Sequence, residues 1–297
     1  MSKKIEGKTG SEWVTVGVTY FDAGKFKEAI DALKKAAKIY PESSDIWINL
    51  GAAYENVGNY KMLVQSCDKA IQINPKDQIA WFNCGIGYSK LENYKKAIEY
   101  FTEAVNLDAK DKNAWFHLGL AYLKTQEGEK AVECFTKVTK LDSNYVNAWK
   151  NIGRIYKSAG NFKNAIDSFN KSIRLDPDDA VIWYEMGESF YRLEKKLKAI
   201  ESFEKSVSLD PNASEVWNNL GFAYKDVGKI ERAIECYEKA IKTDANNSTA
   251  FYNLGIAYNN TGDPQKALKC LENALKIDPK DKAAKVYLKK LKKQRSQ

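Results

Sequence analysis

The chain has 297 residues, 44% apolar and 29% charged, which is enough to bury a large core. No run of 18 apolar residues is present to span a membrane. The net charge of +8 sits at the ends: residues 1–9 give +2 and residues 282–297 give +7, so the body between is nearly neutral and lacks the basic stripe that broad nucleic-acid binding needs.

Residues 1–9 read as a polar N-terminal tail with no secretory signal. From there the chain keeps one period. Trp13, Trp47, Trp81, Trp115, Trp149, Trp183 and Trp217 are each 34 residues apart, and Phe251 takes the next place. Gly follows four residues later, as in Gly51 and Gly153, and Tyr or Phe three further on, as in Tyr54 and Phe190. An Ala recurs in the second half of each period except at Leu63, and Pro41, Pro75, Pro177, Pro211 and Pro279 share one more register.

Each period predicts two helices. Trp47, Leu50, Gly51 and Tyr54 fall at helical spacing, and turn residues such as "VGNY" (57–60) and "SAGNF" (158–162) separate the halves. Pro75 cannot continue a helix and marks the passage to the next period. The framework Trp, Tyr and Gly residues are expected in the core. In the second period Leu63 is larger and Cys67 smaller than the frame asks, which reads as a local exchange of volume. Cys67 and Cys84 are expected to approach one another. At the end, Ala284, Tyr287, Leu288 and Leu291 form a narrow apolar stripe, so residues 282–297 read as a basic capping helix and tail.

An unbroken 34-residue period of W..LG..Y, then Ala, then Pro resembles the tetratricopeptide repeat (TPR). The resemblance covers residues 10–281 as eight repeats: 10–43, 44–77, 78–111, 112–145, 146–179, 180–213, 214–247 and 248–281. It implies an all-α fold, a right-handed TPR superhelix (an α-solenoid) of eight helical hairpins plus a C-terminal capping helix.

No catalytic constellation accompanies the repeats. "GKTG" (7–10) lacks the Gly that a phosphate loop needs four residues earlier, and His117 is the one histidine. The five cysteines are an odd number with no CxxC, which suits a reducing cytosol. No enzyme activity, cofactor or metal is expected, and the chain is expected in the cytoplasm.

The resemblance places binding on the first helix of each hairpin, which lines a concave groove. Two residues after the aromatic, Asn49, Asn83, Asn151, Asn219 and Asn253 form a ladder, with His117 in the fourth repeat. Asn both donates and accepts, so such a ladder can hold a peptide backbone, similar to the groove of O-linked N-acetylglucosamine transferase. Ile79, Phe82, Ile86, Phe116, Leu120 and Leu123 offer an apolar patch in repeats three and four. Repeat five presents Lys150, Arg154 and Lys157; repeat six presents Tyr184, Glu185, Glu188 and Tyr191; repeat seven adds Phe222. Arg154 and Glu188 share a register and are expected to be neighbours.

These residues predict a non-enzymatic adaptor that binds a protein or peptide in the groove. The alternatives are a self-assembling scaffold, a regulatory arm for an enzyme on another chain, or an RNA-binding repeat. The two-carboxylate clamp of heat-shock co-chaperones is absent: Arg154 and Glu185 replace its Asn residues, and Glu215 and Asn219 replace its Lys and Arg.

Overall fold

Each period becomes two helices because its apolar positions recur at helical spacing and turn residues interrupt twice. The computed structural model describes residues 3–295. It begins with an antiparallel hairpin, β1 (Lys4–Ile5) and β2 (Lys8–Thr9), in place of most of the expected polar tail; Met1 and Ser2 lie outside the described residues. The helices that follow form two compact units that divide after Ala148.

The first unit holds α1 (Gly10–Asp22), α2 (Phe26–Ile39), α3 (Ser44–Asn56), α4 (Tyr60–Ile73), α5 (Gln78–Lys90), α6 (Tyr94–Leu107), α7 (Lys112–Lys124) and α8 (Gly128–Leu141). The second begins within α9 (Val146–Ser158) and holds α10 (Phe162–Leu175), α11 (Ala180–Arg192), α12 (Lys196–Leu209), α13 (Ser214–Asp226), α14 (Ile230–Thr243), α15 (Ser248–Asn260), α16 (Pro264–Ile277) and α17 (Lys282–Arg295). In each unit consecutive helices pack as hairpins, and first helices also touch one another, as α3 touches α1 and α5, and α13 touches α15. The fold is all-α apart from the short terminal hairpin.

The framework Gly lets the two helices of a hairpin close. A Cβ on Gly153 would lie 2.4 Å from the Phe169 ring, so only hydrogen fits there. Phe101, Phe135, Phe169, Phe203 and Tyr237 fill this slot in successive hairpins and are buried. In the second hairpin the slot is rearranged. Cys67 replaces the ring, Leu63 swells beside it, and Gly87 of α5 makes room: a Cβ there would stand 2.7 Å from Val64 and 3.2 Å from Leu63.

The tryptophans are less buried than expected. Trp13 is in the core, while the other six are half-buried. The indole N–H needs an acceptor, and the turn supplies one. Trp47, Trp81, Trp183 and Trp217 each donate to the carbonyl of the Pro six residues earlier, at 2.7–2.9 Å, and Trp115 donates to the Ala109 carbonyl. Before Trp13 the chain forms the two-stranded ribbon rather than a helical turn. The β1–β2 ribbon stands in: Ile5 accepts the Trp13 N–H at 2.9 Å, and Glu6 pairs with Lys35 at 2.6 Å.

At the other end α17 packs on α16. Ala284 and Leu291 are buried, and Tyr287 and Leu288 lie against Ala267 and Leu271. Ser296 and Gln297, the end of the expected tail, lie outside the described residues.

Candidate protein-binding face

In the first unit α3, α5 and α7 lie side by side. Ile79, at the start of α5, is 54% exposed. Phe82, Phe116, Leu120 and Leu123 are half-buried. Phe82 and Phe116 flank His117, with ring centroids 5.5 and 6.0 Å away, while Phe101 stacks on the imidazole at 5.7 Å. Tyr145 extends the aromatic run, 5.0 Å from Phe116. Ile86 departs from expectation: it is buried with Phe101, Leu118 and Ala121, because the neighbouring first helix covers it. His117 is therefore a packed ring in place of an Asn rung. Burial among phenyl rings holds its pKa below the ordinary value, and the Lys90 charge adds to the effect against Asp111.

Asn49 and Asn83 are half-buried, and among the described residues their side chains hydrogen-bond to no protein group. They differ in this from the rungs near the C-terminal end. Asn253 is buried and donates to Asn218 Oδ1 at 2.9 Å. Asn219 donates to the Tyr184 hydroxyl at 3.0 Å, and the single proton of that hydroxyl lies within reach of both Glu215 at 2.9 Å and Glu188 at 3.1 Å. Burial, with the Glu188 and Glu215 charges, pushes the Tyr184 phenol far up, so it stays a donor. Asn151 is half-buried in α9. The five Asn are one register in sequence but not one chemical ladder.

The cations of α9 are engaged within the chain. Lys150 lies between Asp179 at 2.6 Å and Asp176 at 3.0 Å, the residues that start α11 and end α10. Burial disfavours both charges of the closer pair. The Lys150 ammonium and the Ile182 and Val181 N–H groups outweigh this and hold the Asp179 carboxyl below its usual range, and the two aspartates keep Lys150 above its own. Arg154 meets Glu185 and not the expected Glu188, through Nε at 2.9 and 3.1 Å. Lys157 takes Glu188 at 2.7 Å.

The correction follows from how first helices stack in the second unit. Lateral partners are 31 residues apart, as in Arg154–Glu185, Lys157–Glu188 and Tyr184–Glu215, or 35 apart, as in Tyr184–Asn219 and Asn218–Asn253. Each side chain thus faces the gap between two residues one turn apart on the next helix, bracketing the 34-residue register. Beyond them Phe222 and Tyr191 are half-buried with ring centroids 5.9 Å apart, and Tyr191 donates to Asp226. Sequence reasoning missed Asp176, Asp179, Asn218 and Asp226. The doubled Asn in "WNN" (217–219) was the available signal.

Nothing in this face assembles a metal site: no cluster of three or more His, Cys, Asp or Glu ligands occurs among the described residues. All five cysteines are free and buried, and burial holds Cys134 and Cys236 up at about 12 and Cys270 at about 11, so they are protonated thiols.

Models of the tetratricopeptide repeat match residues 17–58, 44–77 and 78–111. A family model described as "Cilia and flagella-associated protein 70 C-terminal domain" matches residues 122–297, more than half of the chain. The chain belongs to this family of TPR domains. Among solved structures, this TPR chain is similar to YrrB, described as "a TPR protein with an unusual peptide-binding site": 26% identity, TM-score 0.58, covering 65% of this chain and 100% of that one. It is similar to MamA at 28% identity and TM-score 0.54, covering 55% of this chain and 95% of the other. The C-terminal part of a TPR repeat-containing protein from Cytophaga hutchinsonii shares the fold, with TM-score 0.71 and 21% identity over 80% of this chain and 97% of its own. No curated protein matches. Among the described residues no helix is long and apolar enough to cross a membrane.

Proposed function

We propose that this TPR protein is a non-enzymatic scaffold that holds an extended segment of a partner protein against the face formed by α3, α5 and α7. The observation that carries the reading is the pairing of two unengaged amides with an exposed apolar anchor. Asn49 and Asn83 hydrogen-bond to no described protein group, and Ile79, one turn before Asn83 on α5, is 54% exposed. A peptide backbone would satisfy the amides, and an apolar partner side chain would cover Ile79 and the open edges of Phe82 and Phe116. YrrB, a relative described as having a peptide-binding site, supports the same class of ligand.

The α9 cations play a different part in this reading. With Lys150, Arg154 and Lys157 each held by a carboxylate, they stiffen the second unit and leave little charge to recruit an acidic partner. The repeat boundaries follow the sequence register, 10–43 through 248–281. The free, protonated thiols fit a reducing compartment such as the cytoplasm.

A photo-crosslinking amino acid at position 79 tests the proposal. It is expected to join a partner peptide in cell extract, while the same group at Val286, on α17, does not join that peptide. Equal crosslinking of the same peptide at both positions would refute it.

A further inference from the structure

The first unit has a cavity away from the proposed peptide face. It measures about 640 Å³ and lies between α2 and α4 with α3 as its floor. Its walls are apolar: Trp47, Leu50, Tyr54 and Met62. Its rim carries Lys34, Lys38 and Lys69, with Asp68 as the one acid. None of the three lysines makes an ion pair among the described residues. The Asp68 carboxylate is engaged, accepting from the Tyr100 hydroxyl at 2.9 Å and the Cys84 thiol at 3.5 Å.

The corresponding places in other hairpins show why this one is open. The Lys in the register of Lys69 covers the Trp ring in three hairpins: Lys35 lies 4.2 Å from Trp13, Lys171 4.1 Å from Trp149, and Lys239 4.2 Å from Trp217, while Lys137 and Lys205 make no such contact with Trp115 and Trp183 among the described residues. In the third hairpin Tyr100 does the covering, 5.3 Å from Trp81. In the second, Ser66 stands where Tyr100 would be, and Lys69 turns to Gln72 at 3.3 Å. Trp47 keeps its Pro41 hydrogen bond but has no cation over its ring among the described residues. Where Val207 and Glu204 narrow the matching cavity of the seventh hairpin to about 290 Å³, the second has Ala37 and Lys34.

We infer that this cavity is a binding site for a small amphipathic anion, an organic acid whose aromatic or aliphatic body lies on Trp47 and Met62 and whose acid group meets Lys34, Lys38 and Lys69. The volume suits a ligand of that size. The apolar walls supply the burial, and the unpaired ammonium groups select a negative head. The inference is independent of the peptide face, which lies on the opposite sides of α3.

The test uses the full chain with isotope-labelled methionine methyl groups and dodecanoate or anilinonaphthalene sulfonate as probe. Met62 lines the cavity, while Met186 is buried in the second unit and serves as the internal control. The Met62 resonance is expected to shift saturably with one probe per chain while Met186 stays put. Ser66→Tyr, which copies the third hairpin, is expected to weaken binding by at least about tenfold. Lys34→Gln/Lys38→Gln/Lys69→Gln is expected to weaken the sulfonate about tenfold but leave uncharged phenylnaphthylamine nearly unchanged. An unmoved Met62 in the wild-type protein overturns the site, whatever the variants do. Equal losses for charged and uncharged probes overturn the assignment to an anion.

Discussion

Arg154 Nε donates to both carboxylate oxygens of Glu185, at 2.9 and 3.1 Å, across 31 residues of sequence. The bond ties α9 to α11 one turn away from where a strict 34-residue register would put it. The Arg154 side chain is 45% exposed and that of Glu185 15%, so screening keeps the pair weak. Arg154→Glu is expected to lower stability by about 1 kcal/mol or less through repulsion from Glu185, and adding Glu185→Arg should recover most of it. Urea midpoints of the two single variants and the double variant check this. Additive single effects would remove the pair from the account.

A second prediction concerns turn backbone. Gly24, Gly58, Gly160, Gly228 and Gly262 close the first helices with φ of +72 to +81°, whereas Glu92, Gln126 and Glu194 hold the same register at φ of 58–64°. A side chain costs about 1 kcal/mol in that region, partly offset by the entropy that Gly loses on folding. Glu92→Gly and Glu194→Gly are therefore expected to raise the melting temperature, and Gly160→Ala to lower it. Thermal unfolding followed by circular dichroism reads all three.

His117 supplies a pH dependence. Its folded pKa is lowered, so the unfolded chain binds the proton more readily. The contribution is complete above the ordinary value of 6.5 and is lost as pH falls below it, toward the depressed folded value. Stability should fall as pH drops below the ordinary imidazole value of 6.5. His117→Phe, which suits the phenyl surroundings, should flatten that part of the curve. An unchanged slope in the variant would assign the titration elsewhere.

Tyr237 takes the slot that Phe fills in four other hairpins, and its buried hydroxyl has no partner among the described residues. Tyr237→Phe is expected to stabilise the protein by about 1 kcal/mol, since an unmade hydrogen bond is removed with little loss of packing. A lower denaturation midpoint in the variant would mean that the hydroxyl is satisfied.

The fold was legible because helical spacing, the Gly–ring contact and the turn residues all repeat. Leu63 and Cys67 were readable as an exchange of volume, but the third participant, Gly87, lies on the following hairpin and shows only in three dimensions. The Pro–Trp spacing was visible while its cause was not: the Pro carbonyl accepts the indole N–H. The terminal ribbon was missed because two-residue strands leave no periodic signal. For the first helices, the sequence set the lateral register wrongly. Helices stack with each residue facing a gap, so Arg154 met Glu185 and Ile86 went under its neighbour. Lys150 found Asp176 and Asp179 because helix ends are close in space and far apart in a repeat alignment.

The central claim is that Asn49 and Asn83 hold a partner backbone beside Ile79. Its most direct test is calorimetric titration of the peptide captured at position 79 into the wild-type protein and into Asn49→Ala/Asn83→Ala. Two lost hydrogen bonds predict a drop in affinity of about 10- to 30-fold with thermal stability unchanged. Equal affinities for the two proteins would contradict the account.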